Sequence, residues 1–515
     1  MKILMINPPA ENTVIENPDE DGEGFLESDD FGFFPPLGML YVLSYLEKHT
    51  SGHQLYFKDC IAEHISHANL ATIVEDIQPD VVGVTSFTIS LVDVCKVART
   101  VRAIRPDAHI CMGGHHPIAF PVEAAQLEEF DSVLVGEGEI AFTQLVNALE
   151  TGEDYTNILG VYTSESIKRF ISNPIKDKRF LAHVRVPPAY IEDIDELPFP
   201  NRKFISHIDY HSIVGVDAKL ATMITSRGCP YLCTFCDVPY KKYRQRSHAS
   251  VLDEVEECLA LGYGEFHFYD DLFNINEKKV LDFCDEIEKR GLKFTWDFRG
   301  RVNTISRKML ERAKQCGLRM ISFGIETGTD EGLKLLRKGS KTEQGRRTFQ
   351  WCQELGIKTI ADFIIGLPFE KSPDDVWENV DFLLDINPDY LQLGILTLYP
   401  NTEIYDQAIA KGLIGPNRWR DFALNPEAGF MVDHWEEHMS LRQLVDLQRQ
   451  VYHRFYFRPS YVLRSVFNTR SFYEFKAKTL GFFKLLGIGD YMKKRKLAPI
   501  TNYRDRFNVQ LFKSR

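Results

Sequence analysis

No run of about 18 uninterrupted apolar residues occurs in the chain, so no membrane-spanning helix is expected. The apolar stretch within residues 1–9 is too short for a secretory signal and reads as a strand. No G-x-G-x-x-G follows that strand, which disfavours a nicotinamide-binding sheet. Internal repeats with periods of ~20–50 residues are missing, and so are low-complexity tracts. Ten cysteines in 515 residues are too sparse for a disulfide framework. Their spacing points to a reducing, cytoplasmic compartment and a metal site. Residues 11–30 have no Lys or Arg and carry nine acids, the composition of a solvated loop or of a lid over a ligand. What is present is otherwise ordinary. Apolar residues at 44% and charged residues at 26% exclude global disorder. A net charge of −12 with a pI near 5.7 argues against a nucleic-acid footprint over the whole surface. The length fits about three domains.

Residues 1–150 alternate short branched or apolar runs (3–6, 54–58, 81–84, 109–112, 132–135) with helical periodicity (37–48, 65–77, 92–104, 121–129, 140–149). This predicts an α/β N-terminal unit, a doubly wound five-stranded parallel sheet whose ligands sit beyond the carboxyl ends of the strands. Residues 151–214 have weaker periodicity and contain Pro174, Pro187, Pro188, Pro198 and Pro200, which reads as a linker with a hairpin. Over 215–429 a second series begins, with strands at 221–225, 265–269, 295–298, 320–324, 359–365 and 390–398. Six βα units are two short of a closed barrel and predict a six-unit partial (β/α) barrel. Residues 430–515 read as a mainly helical extension. Within it, 451–515 carries +12, from 15 Lys and Arg against Glu474, Asp490 and Asp505, with aromatics interleaved.

The strongest chemical signal is Cys229-x3-Cys233-x2-Cys236, placed directly after the first barrel strand. Three thiolates in eight residues of loop can converge on one soft metal centre, whereas a disulfide would leave one cysteine odd. Iron–sulfur cubes take four thiolates, so three local ones would leave one iron open. Zinc remains the rival, although no fourth Cys or His lies at a matching spacing. Cys60, Cys95, Cys111, Cys258, Cys284, Cys316 and Cys352 are scattered, as expected of small buried hydrophobes. Only Cys60 has a reason to lie near a ligand. Arg299 and Arg301, after the third strand, suit a carboxylate or anionic substrate as well as they suit surface ion pairs.

Over residues 215–405 the chain resembles the radical S-adenosylmethionine enzymes. The resemblance implies that Cys229, Cys233 and Cys236 ligate a catalytic 4Fe-4S cluster whose open iron binds S-adenosylmethionine. It implies cofactor contacts from Phe235 at the adenine, Asp270 and Asp271 near the methionine amine, Glu326 near the ribose, and Gly366 and Leu367 by the adenine. A doubly wound domain ahead of such a barrel resembles the cobalamin-binding subfamily. This implies cobalamin contacts from Asp59, Thr85, Ser86, Gly113, Gly114, Glu137 and Gly138.

One departure matters. Cobalamin proteins with a histidine on cobalt carry D-x-H-x-x-G after the second strand, whereas here the run is Asp59-Cys60-Ile61-Ala62-Glu63-His64. Cobalamin is therefore expected without a histidine ligand from that motif, although loss of cobalamin binding is the alternative reading.

Within the subfamily the chain looks most like the group of the anaerobic magnesium-protoporphyrin monomethyl ester cyclase and the bacteriochlorophyll side-chain methyltransferases. That resemblance implies methyl transfer to an unactivated carbon of a large apolar substrate, with a tetrapyrrole of bacteriochlorophyll biosynthesis favoured over a lipid. Oxidative cyclisation, or a non-catalytic cobalamin or iron–sulfur sensor, are the alternatives. The implied partners are a reducing donor such as ferredoxin or flavodoxin, no nucleic acid, and peripheral membrane contact through 451–515. A helix over 472–486, with Phe472, Phe475, Leu480, Phe483 and Leu486 on one face, fits either that contact or a cap on the barrel.

Overall fold

The computed structural model describes residues 1–14, 32–171, 179, 185–212, 214–215, 219–459 and 461–462. Most of the acidic insert and the basic tail from 463 onward lie outside the described residues, and with them the expected lid and the helix over 472–486. Among the described residues no helix is long and apolar enough to cross a membrane.

The N-terminal sheet comprises β1 (Lys2–Asn7), β2 (Gln54–Asp59), β3 (Val81–Ser86), β4 (His109–Gly114), β5 (Ser132–Leu134) and β6 (Val161–Tyr162), in the order β2-β1-β3-β4-β5-β6. The first five are parallel. β6 pairs antiparallel with β5. The expectation of five strands is thus corrected to six, because a two-residue edge strand is too short to show a period of two. Ile3, Leu4 and Ile6 of β1 are fully buried, as strands covered on both faces must be. α1 (Leu37–His49) and α4 (Gly138–Thr151) cover one face, where Leu40, Leu43, Phe142 and Leu145 pack together. α2 (His67–Ile77) and α3 (Leu91–Ile104) cover the other, through Leu70, Val74, Val94 and Val101. The chain reverses its winding between β1 and β3, the crevice position at which such sheets bind ligands.

The second sheet is the open barrel. Its strands β7 (Leu220–Met223), β8 (Glu265–Phe268), β9 (Thr295–Gly300), β10 (Leu318–Glu326), β11 (Lys358–Ile365) and β12 (Tyr390–Ile395) lie side by side in chain order, all parallel. The helices on its convex face include α5 (His248–Ala260), α6 (Glu277–Arg290), α7 (Arg307–Gln315), α8 (Thr342–Leu355) and α9 (Pro373–Ile386). Side-chain oxygens of Ser247, Asn276, Ser306 and Ser372 cap α5, α6, α7 and α9, satisfying N–H groups the first turn leaves unpaired. Alternation along β8 and β9 sends Phe266, Phe268, Trp296 and Phe298 into the helix layer. The same alternation turns Glu265, His267, Asp297 and Arg299 to the concave face.

The linker does not form its own hairpin among the described residues. Instead Ala189 bridges to Gly136, and His211–Ser212 pairs with Gly32–Phe33. The outer edge of β12 meets α10 (Leu441–Tyr456), which supplies side-chain partners where a neighbouring strand would stand. Leu393 N donates to Tyr452 Oη at 3.0 Å, Leu391 N donates to Tyr456 Oη at 3.1 Å, and Gln448 Nε2 donates to Leu393 O at 2.8 Å. These three residues are spaced by four and share one helix face. Tyr452→Phe leaves the Leu393 N–H buried and unpaired, and should cost about 1–3 kcal/mol in urea denaturation.

Candidate active site

The cysteine loop leaves β7 through a short antiparallel pair, Ser226–Arg227 with Arg244–Gln245. Gly228 follows at φ +88°, and a Cβ there would sit 2.5 Å from Lys242 O, so the turn excludes any side chain. Cys229 N donates to Tyr240 O at 2.9 Å, and Cys236 N to Cys233 O at 3.2 Å. All three cysteines are unpaired and half-buried. Burial pushes the Cys229 thiol up and the Cys236 thiol up to about 11, so metal binding must displace their protons. Arg301 Nη1 lies 3.5 Å from Cys233 Sγ.

Asp270 and Asp271 lie beneath the loop. Asp270 is buried, and its Oδ1 accepts from Thr225 N at 2.6 Å. Its Oδ2 accepts from Ser226 Oγ, Thr225 Oγ1 and Lys279 Nζ. Asp271 Oδ2 accepts from Gly228 N at 2.9 Å. With both its oxygens engaged, Asp270 shapes the loop's entry.

Two arginines tie the loop to the N-terminal sheet. Arg244 grips both oxygens of Glu137 at 2.8 Å, while Arg227 reaches Glu137 at 3.1 Å and Glu139 at 2.6 Å. Ile191 N adds a donor to Glu137 at 2.7 Å. Burial alone would raise the Glu137 carboxyl, yet Arg227 and Arg244 hold it below its ordinary value. Glu137 was expected to face a cofactor; here it is an inter-sheet ion-pair partner, and this pairing corrects the expectation. At the loop's far end His115 Nε2 lies 3.5 Å from Asp237.

The ends of β10 and β11 form one wall. Glu326 adopts φ +66° and pairs with buried Lys338. The Lys338 Nζ also lies 5.8 Å from the centroid of Phe235, so Lys338 brings the expected adenine-side and ribose-side residues together. A side chain at Gly324 would strike Glu326 Oε1 at 2.4 Å. Behind this wall Asn379 links both turns: its Oδ1 accepts from Thr327 Oγ1 and Gly328 N, and its Nδ2 donates to Glu370 at 2.7 Å. Glu370 in turn accepts from Leu367 N at 2.9 Å. Leu367 is fully buried, and Gly366 takes φ +76°. Sequence reading missed Lys338, Asn379 and Glu370.

At the carboxyl ends of the N-terminal strands, space above Gly113 is open, with nothing within 4 Å of an added Cβ. Gly114, at φ +97°, packs against Ser86 and Thr85 Oγ1. Ser86 is buried and donates to Gly113 O at 2.7 Å. Phe87, 60% exposed, projects beside them. Gly138 opens α4 close to Val42. Asp59 is buried and accepts from Asn7 Nδ2 and Tyr210 Oη at 2.8 Å each. His64 is exposed at φ +54°. Cys60 is buried, and burial drives its thiol far up, as suits an inert packing residue.

The concave face of the barrel is polar. His267 Nδ1 bonds Asp297, and Arg319 lies 2.8 Å from Glu265 and 3.4 Å from Asp297. Higher up, Arg299 aligns with Ser322 across the strands, and Ser322 Oγ donates to Asp362 Oδ2 at 2.9 Å. The other Asp362 oxygen is buried without a hydrogen-bond partner. Arg299 is exposed; its guanidinium carbon lies 5.7 Å from the Tyr269 centroid and its charge offsets part of the burial effect on Asp362, although no carboxylate lies within ion-pair distance of it among the described residues.

A parallel sheet beside an open six-stranded barrel, with a three-cysteine loop after the first barrel strand, defines a two-domain enzyme built around an iron–sulfur centre. Residues 31–146 match the B12 binding domain and residues 223–383 the Radical SAM superfamily. An uncharacterised methyltransferase of Pyrococcus horikoshii is 30% identical over 92% of this chain and 96% of its own. The anaerobic magnesium-protoporphyrin IX monomethyl ester cyclase of Rubrivivax gelatinosus is 27% identical over 73% of this chain and 66% of its own. The radical S-adenosylmethionine methyltransferase TsrM of Kitasatospora setae shares the fold, with a TM-score of 0.60 and 20% identity over 80% of this chain and 76% of that one. The chain belongs to the B12-binding radical S-adenosylmethionine enzymes, and its cofactors are a 4Fe-4S cluster, S-adenosylmethionine and cobalamin.

The residues present fit these groups. Three thiols share one loop with an arginine donor beside Cys233. Open glycine backbone and an exposed phenylalanine mark the crevice of the first sheet.

Burial raises the Asp362 carboxyl from 3.8 to about 6. Between those values the folded chain keeps a proton that the unfolded chain has lost, so this group's contribution to stability falls as pH rises through that window. Asp362→Asn should flatten the pH dependence of urea stability between about pH 4 and 6.

Proposed function

We propose that the chain is a methyltransferase acting on an unactivated carbon of a substrate held against the concave face of the barrel, and that this substrate carries acidic groups. The observation that carries the reading is the exposed Arg299 guanidinium, aligned with Ser322 and acting on Asp362 from beyond ion-pair distance, two residues from the arginine that touches Cys233. A pure hydrocarbon lipid would leave that guanidinium desolvated and uncompensated. An acid-bearing ring system such as a tetrapyrrole satisfies it, and the likeness to the protoporphyrin ester cyclase supports that class.

When bound, the cofactors supply hydrogen abstraction and a transferable methyl group. The protein's part is to hold and align. Cys229, Cys233 and Cys236 would hold the cluster. Phe235, Glu326 with Lys338, and the Gly366 backbone would flank S-adenosylmethionine. Gly113, Gly114, Thr85 and Phe87 would meet the cobalamin ring, with no histidine ligand from the Asp59 region. The bond between His267 Nδ1 and Asp297 orients the imidazole on the concave face. A ferredoxin- or flavodoxin-type protein would deliver the electron. Oxidative cyclisation is the second reading, supported by the same cyclase likeness.

Anaerobically reconstituted Cys233→Ala protein should lose its iron and all 5′-deoxyadenosine formation; retained iron with normal cleavage refutes the ligand assignment. With an accepted substrate, a product heavier by one methylene supports methyl transfer, and a loss of hydrogen with gain of oxygen supports cyclisation. Arg299→Met should raise KM at least tenfold while leaving substrate-free 5′-deoxyadenosine formation unchanged.

A further inference from the structure

Arg301 follows β9 and is only 6% exposed. Its backbone N donates to Asn274 Oδ1 at 3.0 Å, and Asn274 Nδ2 returns a bond to Arg301 O at 2.8 Å, so the residue is fixed at its root. The guanidinium carbon lies 3.7 Å from the centroid of Tyr231, which stands between the first two cysteines of the loop. Nη1 is 3.5 Å from Cys233 Sγ, and Nε is 3.3 Å from Asn303 Oδ1. Asn303 Nδ2 in turn reaches Tyr231 Oη at 3.3 Å, which steadies the stacked ring. Nη2 is buried and has no hydrogen-bond partner. No carboxylate lies within ion-pair distance of Arg301 among the described residues.

A guanidinium buried without a counter-anion is costly. The neighbouring group able to become anionic is the thiol of Cys233, together with whatever those thiols bind. Donors and positive charge beside a cluster's sulfurs stabilise the added electron and raise the reduction potential.

We propose that Arg301 is the counter-charge and N–H···S donor of the iron–sulfur cluster, and that it sets the cluster's reduction potential. The inference rests on the reading that Cys229, Cys233 and Cys236 hold that cluster. Arg301 is a positioning residue that acts through Cys233, and the stacked Tyr231 holds its fork in place. The unpartnered Nη2 offers a second donor on the same side.

The test is a redox titration of anaerobically reconstituted protein without substrate, followed by paramagnetic resonance of the reduced cluster. Arg301→Gln keeps a donor and removes the charge. At a given solution potential its reduced-to-oxidised ratio should fall at least tenfold, which is about 59 mV for one electron. Arg301→Lys keeps the charge and should lie between Gln and the parent. An unchanged potential in an Arg301→Gln protein with full iron content overturns the proposal. If that variant fails to load iron, Asn303→Asp decides: it sets a carboxylate against the Arg301 Nε and offsets the charge, so an unchanged potential in that loaded protein overturns the proposal. Cys233→Ala separates the two layers. Full iron in that protein sinks the ligand reading, whereas lost iron alongside an unmoved Arg301→Gln potential sinks only the role of Arg301.

Discussion

The arrangement turns on a small buried charge network, Arg227 and Arg244 against Glu137 and Glu139. It lies between the two sheets at the foot of the cysteine loop, with two positive and two negative groups. Such a network gains little over a well-packed apolar contact, because desolvating four charges offsets most of their attraction. What it provides is geometric selectivity. The bidentate grip of Arg244 on Glu137 tolerates one orientation, whereas apolar surfaces slide. The strand pair that launches the cysteines therefore has one seat against the first sheet. His115 Nε2 lies 3.5 Å from Asp237, just after the third cysteine, a second contact between the first sheet and the loop.

The barrel face follows from strand parity. Aromatic residues on β8 and β9 go outward to the helices, where Phe268, Phe273, Phe283, Trp296 and Phe298 form one stacked cluster. Parity then obliges Glu265, His267, Asp297 and Arg299 to face inward. An open barrel also has two edges, and both are satisfied by side chains. Tyr452, Tyr456 and Gln448 serve the β12 edge, while Arg202 donates to Thr222 O on the β7 edge and pairs with Glu254. The cavity can thus stay wide and polar without exposing unpaired backbone.

Buried carboxylates divide into two kinds here. Asp270, Glu370 and Glu137 have their oxygens occupied and act as fasteners between turns. Asp362 keeps one oxygen without a hydrogen-bond partner, and Arg299, whose charge reaches it, stays exposed with no carboxylate in ion-pair distance among the described residues. That contrast separates scaffold from candidate substrate contacts more sharply than residue type does. Asp59, Asp270 and Glu137, all flagged by position in the sequence, each tie separate segments of the chain together.

Local chemistry alone determined the two-layered plan. Branched runs separated by helical periodicity predicted both sheets, because burial on two faces and helix amphipathicity are written within ten-residue windows. The cysteine triplet was equally legible, since its three thiols lie in one loop. The antiparallel β6 and the coverage of β12 by α10 were not legible, because pairing across a sheet edge leaves no period in a two-residue strand or a distant helix. Nor were the partners of single side chains. Whether Glu137 met a cofactor or Arg244, and whether Arg301 faced solvent or Cys233, depended on contacts between residues 68 or more positions apart in the chain. Sequence spacing carries no information about such distances; only the docking of the two sheets decides them.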